Sequence, residues 1–154
     1  MLELLSPAGS PEAVIAAVQN GADAVYMGLD GFNARRGAKN FSVTEFAKAV
    51  RYCHIRGAKV YVTLNTLVGD RELGEAAGLA RMASDYGADG IIIQNMKFCE
   101  FWSYEKVLAS HIMINELNIP SCTIEKEYAI GSVGQLRTRF QAFVESLEIK
   151  KINS

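Results

Sequence analysis

Gly21-Ala22-Asp23-Ala24-Val25-Tyr26, Gly57-Ala58-Lys59-Val60-Tyr61-Val62 and Gly87-Ala88-Asp89-Gly90-Ile91-Ile92 are three copies of one phrase. Each opens with a glycine able to stop a helix in the left-handed conformation, passes one or two small or polar residues, and enters an apolar run of strand length. The phrase is therefore a helix-to-strand junction. Successive glycines stand 36 and 30 residues apart, room for one strand, one loop and one helix, so the repeat predicts consecutive βα units and a parallel sheet. After Gln94 the phrase stops.

Leu2 to Leu5 reads as a short buried first strand. It is followed by a Ser6-Pro7-Ala8-Gly9 turn, with Ser10 as N-cap and Pro11 as the first helical residue of a helix running to Asn20. Ala24 to Met27 make the second strand, and a loop from Gly28 to Ser42 follows. The spacing of Val43, Phe46, Ala47, Val50 and Cys53 predicts a helix over about 43–56 that turns Cys53 toward the sheet. Lys59 to Leu64 form strand three, Asp70 to Tyr86 a helix, and Gly90 to Ile93 strand four. Beyond lie a helix over 103–117, a strand near Cys122 to Ile124 and a helix from Gly134 to Leu147. Leu136, Phe140, Phe143, Val144 and Leu147 form the apolar stripe of that last helix. The fold class expected is α/β: parallel βα repeats, partial TIM-barrel-like, the alternative being an open doubly wound five-stranded parallel sheet.

Composition narrows the function classes. The chain has 154 residues, 49% of them hydrophobic, enough for a real core, and a net charge of −1 with no acidic or basic tail to announce a partner. No apolar stretch approaches the roughly 18 residues a membrane helix needs, and the N-terminus lacks a basic region and cleavage site, so the expectation is a cytoplasmic protein. Cys53, Cys99 and Cys122 are an odd set without CxxC spacing, which does not describe a disulfide framework.

In parallel βα architectures ligands sit at the carboxyl ends of strands. Four segments occupy that position: Ser6 to Ser10, Gly28 to Ser42, Asn65 to Gly69, and Gln94 to Phe101. The second is the richest, with Asn33, Arg35, Arg36 and Lys39 between glycines and flanked by Phe32 and Phe41. Cations beside glycines suit an anion or nucleotide phosphate, and interleaved aromatics can stack bases, so single-stranded RNA is a ligand this loop could take. The plainer reading is a solvated loop whose phenylalanines fold back onto the core. Asn65 and Thr66 offer uncharged donors and acceptors for positioning a substrate. Asp23, Lys59 and Asp89 fall at the opposite end and read as structural, and His54 and His111 as surface or boundary residues. Cys99, at a strand end before a helix, is placed to be a thiolate ligand or nucleophile. The catalytic group itself is not identified.

Leu2-Glu3-Leu4-Leu5-Ser6-Pro7-Ala8-Gly9-Ser10-Pro11-Glu12-Ala13, the phrase from Asn20 to Tyr26, Phe32 to Phe41, and Lys59 to Thr66 resemble the start of the collagenase-like peptidase family U32 over about residues 1–94. That resemblance implies a TIM-barrel-like domain and a hydrolase of the protease type, or a protein serving hydroxylation of RNA or of a quinone precursor. The family's glutamate, glycine and cysteine-rich signature lies beyond the first half of the barrel. Residues 88–154, with Lys97-Phe98-Cys99, Asn118-Ile119-Pro120 and Gly134 to Glu145, resemble the C-terminal end of the 2-hydroxyacyl-CoA dehydratase and benzoyl-CoA reductase family. By that resemblance Cys99 is an iron–sulfur ligand of a four-iron four-sulfur cluster whose ligand set is incomplete here. The chain thus reads as two segments, 1–94 and 95–154, packed as one domain. It is a truncated or fused peptidase-family member without its catalytic parts. The alternatives are a dehydratase-subunit fragment and a catalytically silent βα module that forms a homo-dimer through open sheet edges.

Overall fold

The computed structural model describes residues 2–30, 40–64, 71–96, 107, 109–126 and 133–153. They form two compact units, Met1–Ala76 and Ala77–Ser154, dividing within a helix. The sequence-derived boundary after residue 94 is one of family resemblance, and compactness is a different quantity.

In the first unit β1 (Leu5–Pro7), β2 (Ala24–Gly28) and β3 (Lys59–Thr63) form a parallel sheet in the order β1-β2-β3. Helix α1 (Pro11–Gln19) connects β1 to β2, and α2 (Val43–His54) lies between β2 and β3. Sequential parallel order is the winding of a barrel segment and equally of one half of a doubly wound sheet. The second unit pairs β4 (Ile91–Met96) with β5 (Ser121–Lys126), also parallel. Helix α3 (Leu73–Asp85) precedes that pair and α4 (Val133–Ile152) follows it. The fold is α/β with parallel strands in two small open sheets.

The repeated phrase does what its glycines require. Gly21, Gly57 and Gly87 have φ of 88, 73 and 94°, the left-handed region closed to most side chains. After each, the next residue's N–H reaches five residues back: Ala22 to Ala17, Ala58 to Cys53 and Ala88 to Ala83, at 3.0, 3.0 and 2.9 Å. One helix-stop motif, used three times, satisfies the orphan carbonyls and aims the chain into the next strand. The helix starts are equally local. Ser10 Oγ accepts from Ala13 N, and Ser42 and Glu45 form a reciprocal capping box at the head of α2.

Three boundaries differ from expectation. The first strand is Leu5–Pro7 rather than Leu2–Leu5, and it is not buried: Leu5 stands opposite Ala24 and is about half exposed, while Leu2 is 98% exposed. Proline is tolerated there because β1 lies at the side of its three-stranded sheet. Strand four continues to Met96, so Gln94 to Met96 are ladder residues opposite Ile124 to Lys126 rather than loop. The helix expected to end at Leu117 finishes in a π-helical turn, Ile112–Glu116, where Leu117 N–H bonds Ile112 O. Asn118 then takes a left-handed φ of 54°, and Pro120 prevents the helix from resuming.

Right-handed βαβ connections place α1 and α2 on one face of the first sheet. Val25 and Met27 alternate with Tyr26 along β2 and are buried with Val14, Phe46, Val50 and Cys53. The other face carries the row Pro7, Tyr26 and Tyr61, with Leu5 two residues before Pro7. Leu5 and Tyr61 are 48% and 44% exposed. In the second unit Ala80, Met113 and Ile119 make the core with Ile91 and Leu117 against them. On α4 the half-buried residues are Leu136, Phe140, Phe143 and Leu147. Val144, counted in the stripe from sequence, is 50% exposed because it lies about 40° beyond Phe140, at the edge of the stripe.

Candidate functional site

The carboxyl ends of β1, β2 and β3 converge as parallel register demands, with Pro7, Tyr26 and Tyr61 in one row and Gly28 beside Thr63 beyond it. Ala8 N–H bonds Tyr26 O at 2.9 Å, carrying the ladder past β1 into the Ser6 to Ser10 segment. Thr63 Oγ1 donates to Met27 O at 3.2 Å and so ties the end of β3 to β2.

The long loop after β2 is pinned at its base. Leu29 and Phe41 form a parallel bridge, Phe41 N–H donates to Gly28 O, and Asp30 N–H donates to Phe41 O, both at 3.3 Å. Phe41 is 1% exposed, so one of the two flanking phenylalanines folds back onto the core, as the plainer reading of the loop held. The consequence is a loop whose ends are held together at the carboxyl end of the sheet while its cations lie between them in sequence. Asn33, Arg35, Arg36, Lys39, Asn65, Thr66 and Cys99 lie outside the described residues.

At the opposite end of the sheet the charged residues tie the architecture together. Asp23 Oδ2 accepts from Leu4 N–H at 2.8 Å. Lys59 Nζ meets Glu3 Oε2 at 2.6 Å, and Tyr61 Oη donates to Glu3 Oε1 at 3.3 Å. In the second unit Asp89 pairs with Lys151 at 2.6 Å. Asp23, Lys59 and Asp89 are structural, as their position at the junctions implies.

These contacts set an alkaline limit on stability. The hydrogen bond from Lys59 to Glu3, together with the charges around it, raises the lysine pKa. Burial and the neighbouring Glu3 carboxylate raise that of Tyr61, and burial raises that of Cys53 against the opposing pull of Arg56. Each group binds its proton more tightly in the folded than in the unfolded chain. The stability this confers is complete below the unfolded values and is lost as pH rises through the folded ones. The unfolding temperature should therefore hold level from pH 7 to about 9 and fall above it, through the ordinary ranges of Cys, Tyr and Lys. Glu3→Gln should weaken the part of the fall above about pH 10. Thermal unfolding followed across pH 7 to 11 checks this, and a level curve to pH 11 would contradict it.

Cys53 sits on α2 with none of its surface exposed, and its raised pKa favours the protonated thiol, the opposite of what a cluster ligand requires. Cys122 is half-buried on β5. Among the described residues no three His, Cys, Asp or Glu side chains converge on a metal position. The described cysteines do not fit an iron–sulfur cluster. His54 and His111 are both exposed, and among the described residues neither hydrogen-bonds a serine or cysteine.

In the second unit a cleft of about 310 Å³ is lined by Val107, Ser110, His111, Ile114, Asn115 and Thr123. Ser110 Oγ and Ser121 Oγ share a hydrogen bond at 3.3 Å, and Arg139 Nη2 donates to Thr123 O at 2.9 Å. Asn95, on the neighbouring strand, is 4% exposed, and its Oδ1 has no hydrogen-bond partner. The sequence places this residue in the Gln94 to Phe101 segment without singling it out, because an asparagine next to the expected end of a strand reads as loop. Its alternation with Ile91 and Ile93 was the available signal.

The model of peptidase family U32 matches residues 9–122, crossing the point where the repeated phrase ends. The chain belongs to that family. It is 44% identical over 99 residues, 64% of its length, to a 23S rRNA 5-hydroxycytidine synthase of Escherichia coli, of which it covers 15%. It is 40% identical over 72 residues, 46% of its length, to a collagenase of Porphyromonas gingivalis, covering 17% of that protein. It is also 33% identical over 84 residues, 53% of its length, to the beta subunit of a lactoyl-CoA dehydratase of Anaerotignum propionicum, covering 22% of it. The match to the rRNA synthase and the match to the dehydratase subunit together exceed the chain's length, so the two share a stretch of it. No solved structure matches the chain. Among the described residues no helix is long and apolar enough to cross a membrane.

Proposed function

We propose that this U32 chain carries an RNA-binding face of the RNA-hydroxylation type, in which the loop after β2 holds phosphates and bases. The observation that carries the reading is the pinned base of that loop: the Leu29–Phe41 bridge anchors a segment containing Arg35, Arg36 and Lys39 at the carboxyl end of a parallel sheet. Arginine forks match phosphate oxygens bidentately, and closing the loop's ends lowers the entropy lost when those side chains engage. Asn33, Asn65 and Thr66 supply neutral partners for base edges or ribose hydroxyls. The identity to the rRNA synthase supports this substrate class. Peptide hydrolysis has the shorter match in its support, 72 residues of the collagenase against 99 of the rRNA synthase. Cys99 as a cluster ligand rests on the dehydratase-like resemblance.

The test is to titrate the chain with a fluorescein-labelled single-stranded RNA decamer and, separately, with a collagen-type peptide of similar length. Saturable RNA binding with little peptide binding is expected. Saturable peptide binding with none to RNA would overturn the reading.

A further inference from the structure

Helix α4 is apolar on more than one face. Leu136, Phe140, Phe143 and Leu147 are half-buried, and Phe143 and Leu147 lie over Gly90. About a quarter turn away Val133, Val144 and Ile152 are 60%, 50% and 82% exposed. A surface helix ordinarily confines its apolar residues to the stripe that meets its own core, so a second apolar row marks a face with a partner of its own. Arg137, Gln141, Val144 and Glu148 fall within about 60° of one another round the helix and, with Phe140 and Glu145, line a groove of about 540 Å³. Along this face a cation, an apolar centre and a carboxylate follow in order. Neither Arg137 nor Glu148 has an ion-pair partner among the described residues, whereas Lys151 is held by Asp89.

The pattern is complementary to itself under a two-fold rotation. Two copies of the helix laid antiparallel, with the axis between Ala142 and Phe143, put Arg137 of each copy level with Glu148 of the other, Gln141 level with Val144, and Val133 level with Ile152. Arg137 and Glu148 then stand about 8 Å from the axis along the helix, and the two copies of Val144 are about 4.5 Å apart in that direction. A parallel pairing would set Arg137 against Arg137 and Glu148 against Glu148, so charge selects the antiparallel one. A match of this face to its own reversed pattern, in charge and in apolar positions, is a property that only a second copy requires.

We infer that the outward face of α4 is a homodimer interface, in which two antiparallel copies of the helix meet at Val144 and Phe140 between two Arg137–Glu148 ion pairs. The inference is independent of the RNA reading above, and it places self-association on a helix face rather than on the open sheet edges. A helix of 20 residues is about 30 Å long, and one pair of such helices is a small interface, so a dissociation constant of roughly 10–100 μM is expected.

The experiment is sedimentation velocity of the intact chain over roughly 5 to 500 μM, a range that brackets that value. The natural chain should pass from monomer to dimer. Arg137→Glu and Glu148→Arg, made singly, each set like charges opposite one another at two points and should weaken association about tenfold. The double variant restores opposite charges in reversed order and should return the dissociation constant to its natural value. The two positions are exposed and too far apart on one helix to touch, so restoration acts only between copies, and thermal unfolding of all these proteins at monomeric concentrations should agree. Val144→Lys, which brings two cations together at the axis, should leave a monomer over the whole range. A natural chain that stays monomeric would leave the face to a different partner and overturn the inference. Dimers unaffected by the single reversals would use another surface, and single reversals that the double variant does not restore would mean that Arg137 and Glu148 do not face each other; either overturns it.

Discussion

Phe41→Ala should destabilise the first unit by about 3–5 kcal/mol, the usual loss for deleting a buried aromatic ring. Phe41 is 1% exposed, and its backbone forms the closing bridge of the loop with Leu29, Gly28 and Asp30. The substitution therefore empties part of the core and loosens the base of the cationic loop together. Phe41→Leu, which keeps most of the apolar volume, should cost less, and comparing the two separates ring packing from side-chain identity. Urea unfolding of the natural chain and both variants measures the difference. A loss under about 1 kcal/mol for the alanine, well below the buried-aromatic range, would show that the ring is not a core element.

Gly90→Ala should have the second largest effect. A methyl group at position 90 would lie 2.8 Å from Phe143 Cζ, 3.0 Å from Pro120 O and 3.3 Å from Leu147 Cδ2. The phenylalanine tip can swing aside. The Pro120 carbonyl cannot do so freely, because it accepts the Ile91 N–H that opens β4 against β5. Overpacking of this kind costs about 1–3 kcal/mol, and here it also pushes α4 off the start of the strand. By contrast Gly9, with open space around its missing side chain, should accept alanine with little change. Equal stability of Gly90→Ala and Gly9→Ala in thermal unfolding would contradict the packing of α4 over β4.

The repeated phrase was readable because its cause is local. A glycine in the left-handed region, a hydrogen bond five residues back and an apolar run depend on six or seven adjacent residues, and Gly21, Gly57 and Gly87 all carry them. The start of β1 was less readable, since Leu2 to Leu5 is apolar throughout and only the pairing of Leu5 with Ala24 selects the register. The π-helical turn at Ile112–Glu116 leaves no mark in the apolar spacing, which fits an ordinary helix nearly as well. Gly90 read as one more small residue of the phrase, because the helix that needs its missing side chain arrives some fifty residues later. For the candidate site, the placement of the loop followed from the βα order, and Phe41 could be seen as either a stacking ring or a core anchor. The anchor role is decided by long-range burial, which sequence does not carry. The roles assigned to Arg35, Arg36 and Lys39 still rest on charge, spacing and the anchored ends of their loop.

The most direct measurement is therefore the salt dependence of RNA affinity for the natural chain and for a variant carrying Arg35→Ala and Arg36→Ala. If both arginines contact phosphates of a single strand, log Kobs should fall linearly with log salt, and the double substitution should make that slope shallower by about 1.4, roughly 0.7 for each contact removed. An unchanged slope with unchanged affinity would show that the anchored loop does not bind RNA, and would remove the central claim.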